Sequence, residues 1–386
     1  MVIPLLAEDR ARLEKQKWTL AEGIDPEKMV VGGLAQFRLG HQANGACVFL
    51  EPSGRCRIHA KFGEAAKPLA CRLFPFVIHP AGQKLLVGLR FSCPSGAKNE
   101  GLPLAERAAE IPKLARLFLP DHVGDFPPPP VVTPPSLDWP DFLRFVRWLD
   151  RTLATEAPVA VKLLRCLHWL GAVERGRLDQ ITGEAADEIL EALVAGAAEK
   201  IRAAPATAEK PSAFGRLFLR MLVLEYAQKA TVADKDLRSP HRWKLLGAAW
   251  RFARSSGETP VLRAGLGRVR FSEIEKSFGG LPPASEALLT RYLRVKVQSV
   301  QFCGRPFYQR PLFEGFQNLA LLYPVIIWLA RWLAASAGRA ELSEADVLTA
   351  VSMADHQYGF VPYLSWRTRL LQQRNDIVRL CMWYAR

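Results

Sequence analysis

Long apolar runs are scarce in this sequence. The longest, Leu319 to Ala330, is interrupted by Pro324 and closed by Arg331. It falls short of the ~20 apolar residues that span a bilayer, so it reads as a buried helix and no transmembrane segment is expected. The opening residues, MVIPLLAEDRARLEKQKW, reach a charge at Glu8 with no basic region ahead of a sustained apolar core. That is not the pattern of a secretory signal, and a cytoplasmic location is the expectation. Several catalytic motifs are missing too: there is no P-loop, HExxH pair or G-x-S-x-G elbow. Gly265-Leu266-Gly267 is the one glycine-rich fragment of note, and it has neither the preceding strand nor the following helix of a cofactor loop. The absence of a C-x3-C-x2-C triplet excludes an ordinary radical S-adenosylmethionine cluster, and ferredoxin spacing is lacking as well. No repeat with a period of roughly 20 to 50 residues stands out, which argues against a solenoid.

What is present is a chain of 386 residues, 49% hydrophobic and 23% charged, with 52 Lys and Arg against 38 Asp and Glu. That length suggests about two domains. The net charge of +14 favours acidic surfaces. The basic residues are spread over most helical segments, not gathered with aromatics in one patch, so specific nucleic-acid binding is not expected. Seven cysteines in a reducing compartment point to metal ligation or burial in place of disulfides. Their distribution separates the two: Cys47, Cys56, Cys71 and Cys93 cluster, whereas Cys166, Cys303 and Cys381 are scattered and read as buried among helices.

The stretch from Asp121 to Pro140, DHVGDFPPPPVVTPPSLDWP, is incompatible with helix or central strand. It divides the expected domains into 1–120, a cysteine-cluster metal or iron–sulfur domain; 121–140, a proline-rich linker; and 141–386, a helical domain. The expected fold class is mainly α, a small loop-rich cysteine domain followed by an all-helical one. Ahead of the linker, Ala7 to Trp18 reads as a charged helix and Lys84 to Phe91 as extended. Beyond it, helical stripes run through Phe142, Phe145, Val146 and Leu149, through Ala186 to Val194, and through Leu217 to Leu224. Further helices are expected at Trp243–Arg254, Ser285–Val300, Phe313–Ala335 and Ser343–Tyr358, the last capped by Ser343 and Asp346. Trp148, Trp169, Trp250, Trp328 and Trp332 read as core.

The clustered cysteines stand as Cys47-x8-Cys56-x14-Cys71-x21-Cys93. Four thiolates can complete a tetrahedral zinc site or hold a four-iron cluster. Their surroundings narrow the reading: Cys47 has Leu50 close by, Cys56 is followed by Ile58, Cys71 precedes Phe74-Pro75, and Cys93 precedes Pro94. In order and approximate spacing this resembles the cysteine-cluster family of zinc- or iron-chelating proteins, and within it the flagellin lysine-N-methylase branch. The likeness covers about residues 1 to 95, and the helical remainder matches that branch only in size and character. Members of the family usually open with closely spaced cysteines just before the segment corresponding to Val2–Trp18. The resemblance therefore implies that Met1 is an internal start and that further ligands belong upstream.

The resemblance implies Cys47, Cys56, Cys71 and Cys93 as metal ligands, holding a 4Fe-4S cluster or zinc, and an S-adenosylmethionine-dependent methylation of lysine on a protein substrate such as flagellin. A non-catalytic metal-binding or interaction protein is the alternative. His59 and His79 are candidate supplementary ligands, and Arg55, Arg57, Lys61, Lys67 and Arg72 could offset the charge of a cluster. The residues single out no catalytic group and no S-adenosylmethionine site. The geometric expectation is that the four sulfurs converge and that a cleft between the two halves receives the methyl donor.

Overall fold

A computed structural model describes residues 3–32, 37–119, 126–203, 209–228, 241–263, 265–360 and 365–386. The fold is mainly helical, with sixteen helices and five short strands among the described residues. The chain divides into two compact units. One is Met1–Phe74 with Lys113–Phe118 and Lys229–Leu245; the other is Pro75–Pro112, Leu119–Gln228 and Leu246–Arg386.

The first unit has little regular structure. Its strands β1 (Pro4–Leu5), β2 (Val30–Gly32) and β3 (Phe37–Leu39) form an antiparallel sheet in the order β1-β3-β2, with Arg38 opposite both Pro4 and Val31. Three short helices join it: α1 (Ala7–Lys15), α2 (Arg57–Phe62) and α3 (Leu69–Leu73). The core is small, with Leu13, Trp18, Ile24, Leu39, Phe49 and Ile58 buried and Cys47, Cys56 and Cys71 packed at its edge. Trp18 organises it, set against Phe49 at a ring separation of 5.2 Å and against Phe62 at 5.6 Å. Gly40 makes the closest backbone approach, since a Cβ there would lie 1.9 Å from the Lys28 carbonyl oxygen. Only glycine fits that crossing.

The second unit begins with a hairpin, β4 (Phe76–Ala81) against β5 (Lys84–Leu89), which realises the extended reading of that segment. Next come α4 (Pro94–Lys98) and α5 (Ile111–Ala115), the latter straddling the division between units. Then follow α6 (Trp139–Ala154), α7 (Val159–Gly176), α8 (Gly183–Lys200), α9 (Ala213–Ala227), α10 (His241–Arg254), whose residues as far as Leu245 are counted with the first unit, and α11 (Phe271–Ile274). The chain closes with α12 (Pro283–Gln298), α13 (Leu312–Ser336), α14 (Glu344–Gln357), α15 (Ser365–Gln373) and α16 (Asp376–Tyr384). The Phe142 to Leu149 stripe is buried on α6, and Ser343 caps α14 in a reciprocal box with Asp346. Of the five tryptophans expected inside, Trp148, Trp169, Trp328 and Trp332 are buried, but Trp250 is 63% exposed. Helix α10 turns Phe252 inward, against Phe271, Trp328 and Trp332, which leaves Trp250 on the opposite face with Trp243 and Leu246.

Helix α13 is the axis of this unit, packed against α14, α16 and α9. It is long and apolar enough to cross a membrane, and 83% of its most apolar eighteen-residue window is buried within the protein. It passes through Pro324, which cannot donate to the carbonyl of Ala320, one turn back. The thiol of Cys381 on α16 donates there instead, at 3.5 Å. Helix α13 begins under the proline-rich stretch. Its first amides, Leu312 and Phe313, donate to the carbonyls of Pro130 and Val131 at 2.9 Å each, satisfying two of the donors a helix start leaves free. That stretch is described from Phe126 onward, and residues 121–125 lie outside the described residues.

Candidate metal centre

The first unit brings three of the four clustered cysteines together. Two isolated backbone β-bridges, His41 with Cys47 and Leu50 with Cys56, shape the loop that carries the first two, and the Arg57 amide donates to Phe49 O at 2.9 Å. Val48 in turn donates to Gly40 O, so the close crossing at Gly40 fixes where this loop sits. Cys56 is the residue ahead of α2, and Cys71 lies within α3. The start of α3 is held from α1: both carboxylate oxygens of buried Asp9 accept the Leu69 amide, at 3.1 and 3.2 Å, and Arg12 pairs with the same carboxylate. A second tie runs from Gln16 Nε2 to Ala66 O at 3.2 Å.

The three thiols are half-buried and within electrostatic reach of one another. Burial pushes the Cys71 thiol up to about 12, and neighbouring Cys47 and Cys56 push the same way while Lys67 opposes them. Cys47 is also raised, first by burial, with Cys56 adding to the shift and the Phe49 amide countering it. Cys47 and Cys71 therefore stay protonated at neutral pH in the metal-free protein. A soft cation would reverse that balance, because it binds the thiolate. Of the basic residues near these cysteines, Lys67 acts on Cys71, whereas Arg57 and Lys61 engage the Glu22 carbonyl and carboxylate.

Cys93 belongs to the second unit, where it is the residue ahead of α4. Its segment is anchored to the helices. The Ser92 amide donates to Asp355 Oδ2 on α14 at 2.8 Å, while Lys296 on α12 holds Oδ1 of the same carboxylate at 2.6 Å. Lys296 also donates to Gln301 at 2.8 Å, and Arg291 donates to Ala97 O at the end of α4. Lys296 and Asp355 are 1% and 0% exposed, so this is an ion pair inside the bundle. His79, on β4, is held down to about 4 by burial and by the charge of Lys296, and its Nε2 has no hydrogen-bond partner. His59 is exposed on α2. Cys166, Cys303 and Cys381 are fully buried among helices of the second unit.

Among the described residues, no group of three or more His, Cys, Asp or Glu side chains stands in ligating geometry. The thiols of the first unit suit zinc or iron by their chemistry, and they share the edge of one core without forming a ready cage. Asp9, Lys296 and Asp355 are the supporting residues that sequence reading missed. The signal for the last two was a charge on an apolar face: Lys296 continues the stripe of Leu289, Tyr292 and Leu293, and Asp355 that of Val347, Val351 and Ala354. Comparison with family models, with curated proteins and with solved structures finds no match to the chain.

Proposed function

We propose that this protein binds a soft metal, as zinc or as an iron–sulfur cluster, through Cys47, Cys56, Cys71 and Cys93, the metal organising a loop-rich N-terminal domain ahead of the helical one. One observation carries the reading: three cysteines spread over residues 47 to 71 come within electrostatic reach at the edge of one small core. Half-burial of three thiols at one core edge serves no packing need that alanine or valine would not meet, whereas it suits a site completed by a cation. The ligating geometry then forms on binding, as metal sites coupled to folding commonly do.

By its resemblance the protein is further proposed to act as an S-adenosylmethionine-dependent protein-lysine N-methylase in the cytoplasm, with a protein such as flagellin as substrate. The non-catalytic reading, a metal-stapled domain joined to a partner-binding bundle, uses the same cysteines. Metal loading tests the shared claim. Anaerobic reconstitution with iron and sulfide, and separately with zinc, should load the wild-type chain and leave a C47S/C56S/C71S variant unloaded. Equal metal content in the two proteins would sink the proposal. Calorimetric titration of the loaded protein with S-adenosylmethionine separates the methylase from the scaffold, which gives no heat.

A further inference from the structure

We propose that the second unit carries a binding pocket for a planar aromatic anion, built from the proline-rich stretch, the β4–β5 hairpin and the loop after α12. The cavity measures about 390 Å³, within the range of small-molecule sites. It uses none of the four cysteines proposed as ligands.

One wall is the run Pro127–Pro130. Four successive prolines have fixed φ and no N–H, so this wall is stiff, offers ring faces and carbonyls, and is ordered before any ligand arrives. The Pro130 carbonyl is already taken by the Leu312 amide. Trp139 and Phe126 supply aromatic surface, and the Trp139 indole N–H donates to Phe126 O at 2.8 Å, which locks the two residues together. A rigid, apolar, aromatic-lined slot favours a flat ring over a flexible chain, because neither side loses much freedom on binding.

The charge of the lining sets the sign of the ligand. Among the described residues no Asp or Glu lines the cavity, and Arg305 is the one permanent cation there. The Arg305 guanidinium lies over the Phe126 ring with Cζ 3.3 Å from the centroid. Stacked in this way it keeps its in-plane N–H donors for a carboxylate or similar anion. His79 on the same lining is neutral at physiological pH, adding a hydrogen-bonding group without charge.

The probes are 2-naphthoate, 2-naphthylmethanol and 2-naphthyltrimethylammonium, titrated against the full chain by calorimetry. The expected order is naphthoate tightest, the alcohol weaker and the cation weakest. Arg305→Gln should weaken naphthoate about tenfold and leave the alcohol unchanged. Ser136→Phe, filling the cavity from a half-buried position on its rim, should weaken both, with thermal unfolding confirming that it folds. The C47S/C56S/C71S variant should bind naphthoate like wild type, which keeps this site separate from the metal proposal. Failure of naphthoate to bind at millimolar concentration, equal binding of the cation, or an Arg305→Gln variant indistinguishable from wild type would each overturn the proposal.

Discussion

The thiol of Cys381 donates to the carbonyl of Ala320, the acceptor that Pro324 leaves without its usual partner one turn along α13. Burial pushes this thiol up to about 12, so it keeps the proton it donates. Cys381→Ala should strand a buried carbonyl and destabilise the protein by about 1–3 kcal/mol. In a Pro324→Ala background, where a backbone amide takes over at Ala320, the same change should cost less. Urea unfolding of the four proteins of this double-mutant cycle measures the coupling. Additive effects would show the sulfur to be mere filling.

The Lys296–Asp355 pair should be expensive to break from one side. Removing one partner of a buried pair typically costs about 3–5 kcal/mol, whereas replacing both can be near neutral. Asp355→Leu also frees the Ser92 amide, so it should be worse than Lys296→Met, and K296M/D355L should recover part of the loss of either single variant. Hydrogen exchange at Ser92 reads the local consequence, which should appear with Asp355→Leu and be smaller with Lys296→Met.

His79 gives a pH dependence of definite sign. Its folded-state value of about 4 lies below the ordinary histidine value of 6.5, so the unfolded chain takes up the proton first. The contribution is fully present above about pH 6.5 and is lost as pH falls through 4. A shift of that size corresponds to at most about 3 kcal/mol. His79→Gln should flatten the stability profile between these limits, as followed by urea midpoints across pH.

Asp9 should govern access to Cys71. Asp9→Asn weakens the hold on the Leu69 amide and removes the charge paired with Arg12, at a cost of about 1.5–3 kcal/mol for hydrogen bonds to a charged group. Because α3 carries both Leu69 and Cys71, the expected readout is faster alkylation of Cys71 than in wild type, with Cys166 and Cys303 still protected. An unchanged Cys71 rate would show that α3 is held by packing alone.

Metal uptake should release protons. Cys47 and Cys71 have raised pKa values in the metal-free protein, and ligation requires the thiolate. Apparent affinity for zinc should therefore fall as pH is lowered, and the observed heat should vary with the ionisation enthalpy of the buffer. A heat that does not change between buffers would mean that these thiols are not the ligands.

The helical half was legible where apolar periodicity coincided with a stop or cap signal. Ser343 with Asp346 located α14, and the apolar content of α13 located that helix, each within one residue at each end, even though Pro324 reads as an interruption. What periodicity could not supply was the partner of that proline, because the thiol at position 381 lies on another helix. Trp250 shows the complementary limit: α10 carries aromatics on two faces, and composition alone does not say that Phe252 is the one turned inward. Cys47, Cys56 and Cys71 in the first unit, with Cys93 in the second, stood out by spacing and neighbours, but Asp9 looked like one more charge on a charged helix. Its role depends on Leu69, sixty positions away in the chain.

Helix α13 also sets a problem of timing. Synthesis delivers it before α14 and α16, the helices that cover much of its surface. For that interval the nascent chain presents a segment with the length and apolarity of a membrane span, and nothing C-terminal yet exists to shield it. Helices α7 and α9, already made, can cover only the faces they pack against, so a chain halted shortly after Ser336 would leave exposed the faces that α14 and α16 bury.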